Sequence, residues 1–150
     1  MRLRGSFVTL VYLVLEPDTR DVRWINAGHG PLFLYDPAKG EFEELQAQDI
    51  PLGVNPDWKF EEHEREDWPA SAILVIGTDG IWESQNPEGR VFGKDGLKNV
   101  IKKNAHLFAE DICKAVVQGL TEFAAGEPQH DDVTLVVVKF PKDPRPTAAV

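Results

Sequence analysis

Thr78-Asp79-Gly80 closes the apolar run Ile73-Leu74-Val75-Ile76, and Asp131-Asp132 immediately precedes the run Val133-Thr134-Leu135-Val136-Val137-Val138. Each motif puts carboxylate at the tip of what reads as a buried strand. Carboxylates at neighbouring strand ends can converge on one hard divalent cation, because Mg²⁺ and Mn²⁺ prefer oxygen ligands. Taken singly, each motif has a plainer reading. A strand-end Asp commonly caps the following turn by accepting backbone N–H groups, and adjacent acids before a strand can simply be solvated. Two neighbouring carboxylates repel, however, and a cation relieves that repulsion. The two motifs together therefore strengthen the metal reading beyond what either gives alone.

Other chemically capable residues are more ambiguous. His29 sits between glycines in Asn26-Ala27-Gly28-His29-Gly30-Pro31. It could act as a general acid or contact a substrate, but a turn histidine bonded to its own loop is the simpler reading. Asn26 fits a residue that bonds nearby backbone, as Asn commonly does in turns. His130 precedes the acidic pair and reads either as support for a metal ligand or as a solvent-facing loop residue. Cys113 lies with Ile112 and Val116 on a helix face, which suits a small packing residue better than a nucleophile. The four Trp residues are spread along the chain, so packing is their default role.

The elements that must carry these residues can be read from the pattern. Residues 7–15 form an uncharged run that predicts a strand buried on both faces or nearly so. A Pro-containing turn and residues 22–27 complete a hairpin. Residues 32–35 and a short stretch near Phe42 extend it to a meander. Residues 46–56 read as loop, 58–68 as an edge strand, and 71–78 as the most apolar and central strand. The glycine-rich stretch 85–96 is a candidate functional loop or flap. Helices are expected over 97–104 and along a stripe of Ile112, Ala115, Val116, Gly119, Leu120 and Phe123. Residues 132–140 make the last strand, and 141–150 a Pro-rich tail.

The 150 residues suit one domain, with 42% hydrophobic and 27% charged residues. A net charge of −9 argues against nucleic acid as the main partner. A single cysteine precludes an internal disulfide and points to a reducing, cytoplasmic setting. No apolar run reaches the roughly 18 residues of a membrane span, and no signal peptide is evident.

Six motifs in order then carry a family resemblance. They are Phe7-Val8-Thr9-Leu10, Asn26-Ala27-Gly28-His29-Gly30-Pro31, Pro51-Leu52-Gly53-Val54, Thr78-Asp79-Gly80-Ile81, Asn86-Pro87-Glu88-Gly89 with Phe92-Gly93, and Gln129-His130-Asp131-Asp132-Val133-Thr134. Over residues 6–140 or so, the chain resembles bacterial SpoIIE/RsbU-type phosphatases of the metal-dependent PPM (type 2C) serine/threonine phosphatase superfamily. The resemblance implies an α+β fold, an αββα sandwich of antiparallel sheets flanked by helices. It implies a cleft with two Mn²⁺ or Mg²⁺ ions, whose bridging water attacks a phosphoserine or phosphothreonine directly, with no catalytic side chain beyond that water. Asp79 and Asp131 match the family's metal ligands. Gly80, Asp132, Asn26 and His29 are read as residues that support the ligands or the backbone around them rather than bind the ion. The implied substrate is a regulatory phosphoprotein such as an anti-sigma-factor antagonist.

One departure stands against that match. Family domains carry strands, helices and a bridging Asp upstream of the Phe-Val-Thr strand, and only six residues precede Phe7 here. The sequence therefore reads as the C-terminal two-thirds of a phosphatase domain, N-terminally truncated. Two cations bring +4, while Asp79, Asp131 and Asp132 supply at most −3. Three functions compete on this reading. One is a metal-dependent phosphatase, weak alone or completed by a missing N-terminal segment or by self-association. Another is a catalytically incomplete remnant or binding module for signalling phosphoproteins. A haloacid-dehalogenase-like phosphatase is disfavoured, because an Asp-x-Asp nucleophile motif after an early strand is absent.

Overall fold

The computed structural model describes residues 6–16, 19, 21–45, 49–66 and 68–142. Among these described residues, seven strands and three helices follow in the order β1 (Leu10–Glu16), β2 (Asp21–Ala27), β3 (Leu32–Asp36), β4 (Glu41–Leu45), β5 (His63–Arg65), β6 (Ile73–Gly77), α1 (Asp79–Trp82), α2 (Gly93–Asn104), α3 (Ala109–Ala124) and β7 (Leu135–Lys139). The strands form two antiparallel sheets, ordered β1-β2-β5 and β4-β3-β6-β7. The class is α+β. The chain divides into two compact units, one holding each sheet.

In the first unit, β1 and β2 make the expected hairpin, with Tyr12 opposite Ile25 and Val14 opposite Arg23. The burial expected for residues 7–15 is not found. Leu10 is 43% and Tyr12 60% exposed, and the regular strand begins only at Leu10. Leu10 and Tyr12, two residues apart, share one face of β1, and that face is left exposed while Val11 and Leu13 on the other are partly buried. An uncharged run reads the same whether or not a neighbour covers it. The expected edge strand within 58–68 shrinks to three residues, paired with β2. Part of the predicted turn between β1 and β2 lies outside the described residues.

The second unit holds the other sheet and the helices. The continuous meander expected from residue 7 onward is broken, because β2 and β3 belong to different sheets. β6 is central, as its composition predicted, with β3 on one side and β7 on the other. Phe33 and Tyr35 from β3, Ile73 and Val75 from β6, and Ile81 from α1 pack with Leu97, Ile101, Ile112, Val116 and Leu120 from the two long helices. Of the stripe expected on α3, Ile112, Val116 and Leu120 are buried. The α2 helix starts four residues before its expected boundary at residue 97, at Gly93, because two glycines in its first turn disguise it as loop. α1 was not expected, since four residues carry no periodicity of their own. No helix among the described residues is long and apolar enough to cross a membrane. The predicted tail lies outside the described residues from 143 onward.

The stretch 85–96, expected as an open loop or flap, begins as a closed turn. Gln85 bridges Val91, and Asn86 accepts from the Arg90 amide through Oδ1 at 2.9 Å while donating to Glu88 at 2.8 Å. A buried Asn side chain that bonds both ways replaces the strand ladder as the closing force.

Glu44 of β4 ties the sheet to α2. Its Oε1 accepts from Lys98 Nζ at 2.6 Å and its Oε2 from Lys94 Nζ at 3.3 Å. The hydrogen bond from Lys98 is the main reason that its carboxyl titrates below the ordinary glutamate range, with partial burial acting against it. The charged form is thus favoured in the fold. Its contribution to stability is full above the ordinary glutamate pKa and is lost as pH falls through the lowered one. Melting temperatures measured against pH should show a larger acid-side drop for the unsubstituted protein than for Glu44→Gln. Parallel curves would contradict this account.

Candidate metal centre at the end of the second sheet

The β6 strand ends at Gly77 and Thr78 continues it in extended conformation, with φ −85° and ψ 160°, before α1 turns away at Asp79. Across from it runs the segment that enters β7. Thr78 N donates to Thr134 O at 3.1 Å. Thr78 Oγ1 donates to Asp132 O at 2.9 Å and accepts from Thr134 N at 3.0 Å. These three bonds fasten the base of Asp79 to the acidic segment. Gly80 closes the same junction from the other side. A Cβ placed there would lie 2.5 Å from Asp132 O and 3.2 Å from Asp131 O. Only a residue without a side chain allows that backbone approach.

Asp79, Gly80, Asp131 and Asp132 are therefore brought to one end of the four-stranded sheet. Asp79 and Asp131 are both exposed. Each carboxylate also accepts from the next amide: Asp79 Oδ1 from Gly80 N at 3.1 Å, and Asp131 Oδ1 from Asp132 N at 2.7 Å. Gln129 Nε2 donates to Asp131 O at 2.6 Å, stiffening the approach to the acidic pair. A cavity of about 130 Å³ opens here, lined by Gly80, Glu83, Ser84, His130 and Asp131. Glu83 was not expected at this end. It lies just past α1, and without that helix in view nothing marks it.

The donor set is all oxygen, which suits Mg²⁺ or Mn²⁺. The number of donors is short: among the described residues no three His, Cys, Asp or Glu side chains cluster closely enough to complete a metal site. The residues thus fit part of a hard-cation site.

Asn26 and His29 are brought together with each other in the first unit. Asn26 is 2% exposed; its Nδ2 donates to Gly30 O at 3.1 Å, and its Oδ1 accepts from His29 N at 2.9 Å. His29 Nδ1 lies 3.2 Å from Gly30 O. Gly28 holds φ +70°, and a Cβ there would meet the Pro51 ring at 2.5 Å. The side chains of this loop organise the loop itself. Burial pushes the Cys113 thiol above its ordinary value, away from thiolate chemistry.

The family described as Stage II sporulation protein E (SpoIIE) matches residues 1–141. Phosphoserine phosphatase RsbU of Bacillus subtilis (strain 168) is 25% identical over 135 residues, which is 90% of this chain and 39% of that protein. Protein IcfG of Synechocystis sp. (strain ATCC 27184 / PCC 6803 / Kazusa) is 27% identical over 134 residues, 89% of this chain and 21% of that protein. The chain thus spans well under half the length of these curated relatives. Among solved structures, the PP2C phosphatase domain of SpoIIE from Bacillus subtilis, with a fragment of its regulatory domain, superposes with a TM-score of 0.72 at 21% identity over 93% of this chain and 40% of that one. The SiaA-PP2C domain of Pseudomonas aeruginosa gives 0.68 at 22% identity, over 81% and 47%. At such identities the structural likeness speaks to the fold.

Proposed function

The chain belongs to the SpoIIE family, and from that premise we propose that it carries out, as part of the family's phosphatase domain, metal-dependent hydrolysis of phosphoserine or phosphothreonine in a regulatory protein. The proposed domain spans residues 1–140, with 141–150 as a tail. The observation that carries the reading is the junction in which Thr78 and Gly80 hold the strand end bearing Asp79 against the segment bearing Asp131 and Asp132. RsbU, named a phosphoserine phosphatase, supplies the substrate class by likeness. A bacterial signalling phosphoprotein of the anti-sigma-factor antagonist type, met in a reducing cytoplasm, is the substrate we favour.

Asp79 and Asp131 would hold the cation, Mn²⁺ or Mg²⁺. When bound, such an ion neutralises phosphate charge and acidifies the attacking water. The chain's own residues set the distance between the two carboxylates and keep them open to solvent, where a phosphorylated loop can reach them. Asp132, beside Asp131, adds negative potential without being aimed by the same hydrogen bond. The limited donor count favours a second reading, a module that binds signalling phosphoproteins and hydrolyses them poorly unless further ligands are supplied.

Calorimetric titration of residues 1–150 with Mn²⁺ tests the assignment. Weak binding at one site is expected, because two aspartates offer −2 against the +4 of an ion pair, and Asp79→Asn should abolish it. Binding that survives Asp79→Asn unchanged contradicts the ligand assignment, and two tight sites contradict the partial donor set.

A further inference from the structure

We infer that Thr78 is the positioning residue of this centre, the side chain that fixes how far Asp79 stands from Asp131 and Asp132. The inference rests on the metal-centre reading given above and adds to it a residue whose side chain bonds backbone of the acidic segment.

A threonine directly before a helix ordinarily turns its hydroxyl onto an amide of the first turn. Thr78 occupies that place before α1 and makes no such bond. Its hydroxyl is spent across the junction instead, donating to Asp132 O at 2.9 Å and accepting from Thr134 N at 3.0 Å. A hydroxyl has one proton to give, and here it goes to the carbonyl of an acidic residue. The two partners flank Val133, so the hydroxyl grips both ends of one short stretch. The Thr78 amide, bonded to Thr134 O at 3.1 Å, adds a third attachment.

Gly80 sets the opposite limit. Its Cα face rests on Asp131 O and Asp132 O with no room for a methyl group. The acidic segment is thus pulled in by Thr78 and stopped by Gly80. Divalent cations such as Mg²⁺ tolerate little distortion of ligand geometry, and residues that orient ligands affect affinity nearly as much as the ligands do.

The test compares Thr78→Val, Thr78→Ser and Thr78→Ala with the unsubstituted residues 1–150, using Mn²⁺ alone as the probe. Valine keeps the shape and loses both side-chain bonds; serine keeps both bonds; alanine loses the bonds without adding an apolar group. We expect Thr78→Val and Thr78→Ala to weaken Mn²⁺ binding about tenfold or more, with Thr78→Ser within about twofold of the unsubstituted chain. Amide hydrogen exchange at Thr134 in the metal-free protein should quicken in the valine and alanine variants and stay unchanged in the serine variant. Mn²⁺ affinity unchanged in the valine and alanine variants, while Asp79→Asn abolishes it, overturns the positioning role and leaves the metal centre standing. No Mn²⁺ binding by the unsubstituted chain overturns both. If valine and alanine variants both fail to fold, Thr78 is a folding residue and the inference is likewise overturned.

Discussion

Residues 1–150 alone are expected to release phosphate from a phosphoserine peptide at least about a thousandfold more slowly than the same residues joined to the upstream part of a family domain, since each 1.36 kcal/mol of lost transition-state stabilisation is tenfold in rate. The chain offers Asp79, at the start of α1, and Asp131, ahead of β7, and no third clustered ligand among its described residues. A single, weakly held ion would neutralise less of the phosphate charge and acidify the attacking water less than a well-held pair would. Fusing the upstream part before Met1, or adding it in trans, should produce Mn²⁺-dependent turnover. Asp131→Asn should then remove it, since the charge is lost while the shape is kept. Phosphate release with and without that part, each with and without EDTA, decides the matter. Robust EDTA-sensitive turnover by residues 1–150 on their own would overturn the account of a partial donor set.

Gly80→Val should be the most disruptive single substitution at the junction, lowering stability by about 3 kcal/mol. The Cβ would stand 2.5 Å from Asp132 O, an atom of the main chain that no rotamer change can remove. The acidic segment must retreat, taking with it the carbonyl that accepts from Thr78. Gly89→Ala provides the contrast. A Cβ there meets nothing within 4 Å, so its penalty comes only from φ +73°, about 1 kcal/mol. Denaturant melts of both variants give the comparison, and a Gly80→Val protein as stable as the Gly89→Ala protein would refute the tight packing of the turn on residues 131 and 132.

Much of the second unit was readable from composition. The run 73–76 was apolar enough to belong inside a sheet, and β6 has a strand along each edge with Ile73, Leu74 and Val75 fully buried. Ile112, Val116 and Leu120 recur at helical spacing and are buried. The first unit was less readable, because residues 7–15 report what the chain could bury and not what is present to bury them. α1 escaped notice because its four residues are held by Ile81 in the core, a contact with no local signature. The place of Asp79 just past β6 could be read, since the apolar run ends beside it, but Asp131 does not abut a strand: the last strand, expected over 132–140, starts only at Leu135. The device that joins them could not be read. Thr78 reads in sequence only as the end of an apolar strand, and only the pairing of β6 with β7 sets its hydroxyl across the junction.

That pairing has a consequence for the order of events in folding. The two hydroxyl bonds of Thr78 join residues 54 and 56 positions apart. Closing a loop of that length costs chain entropy that grows only slowly with length, but none of it is recovered until both ends meet. Between them lie α2 and α3, which can form early from local contacts and shorten the span that remains to be closed. The acidic junction then has no counterpart in the unfolded chain, where Asp79 and Asp131 are far apart on a flexible polymer. Any cation held there binds the native state alone and stabilises it by mass action, so thermal stability should climb with the logarithm of cation concentration above the dissociation constant.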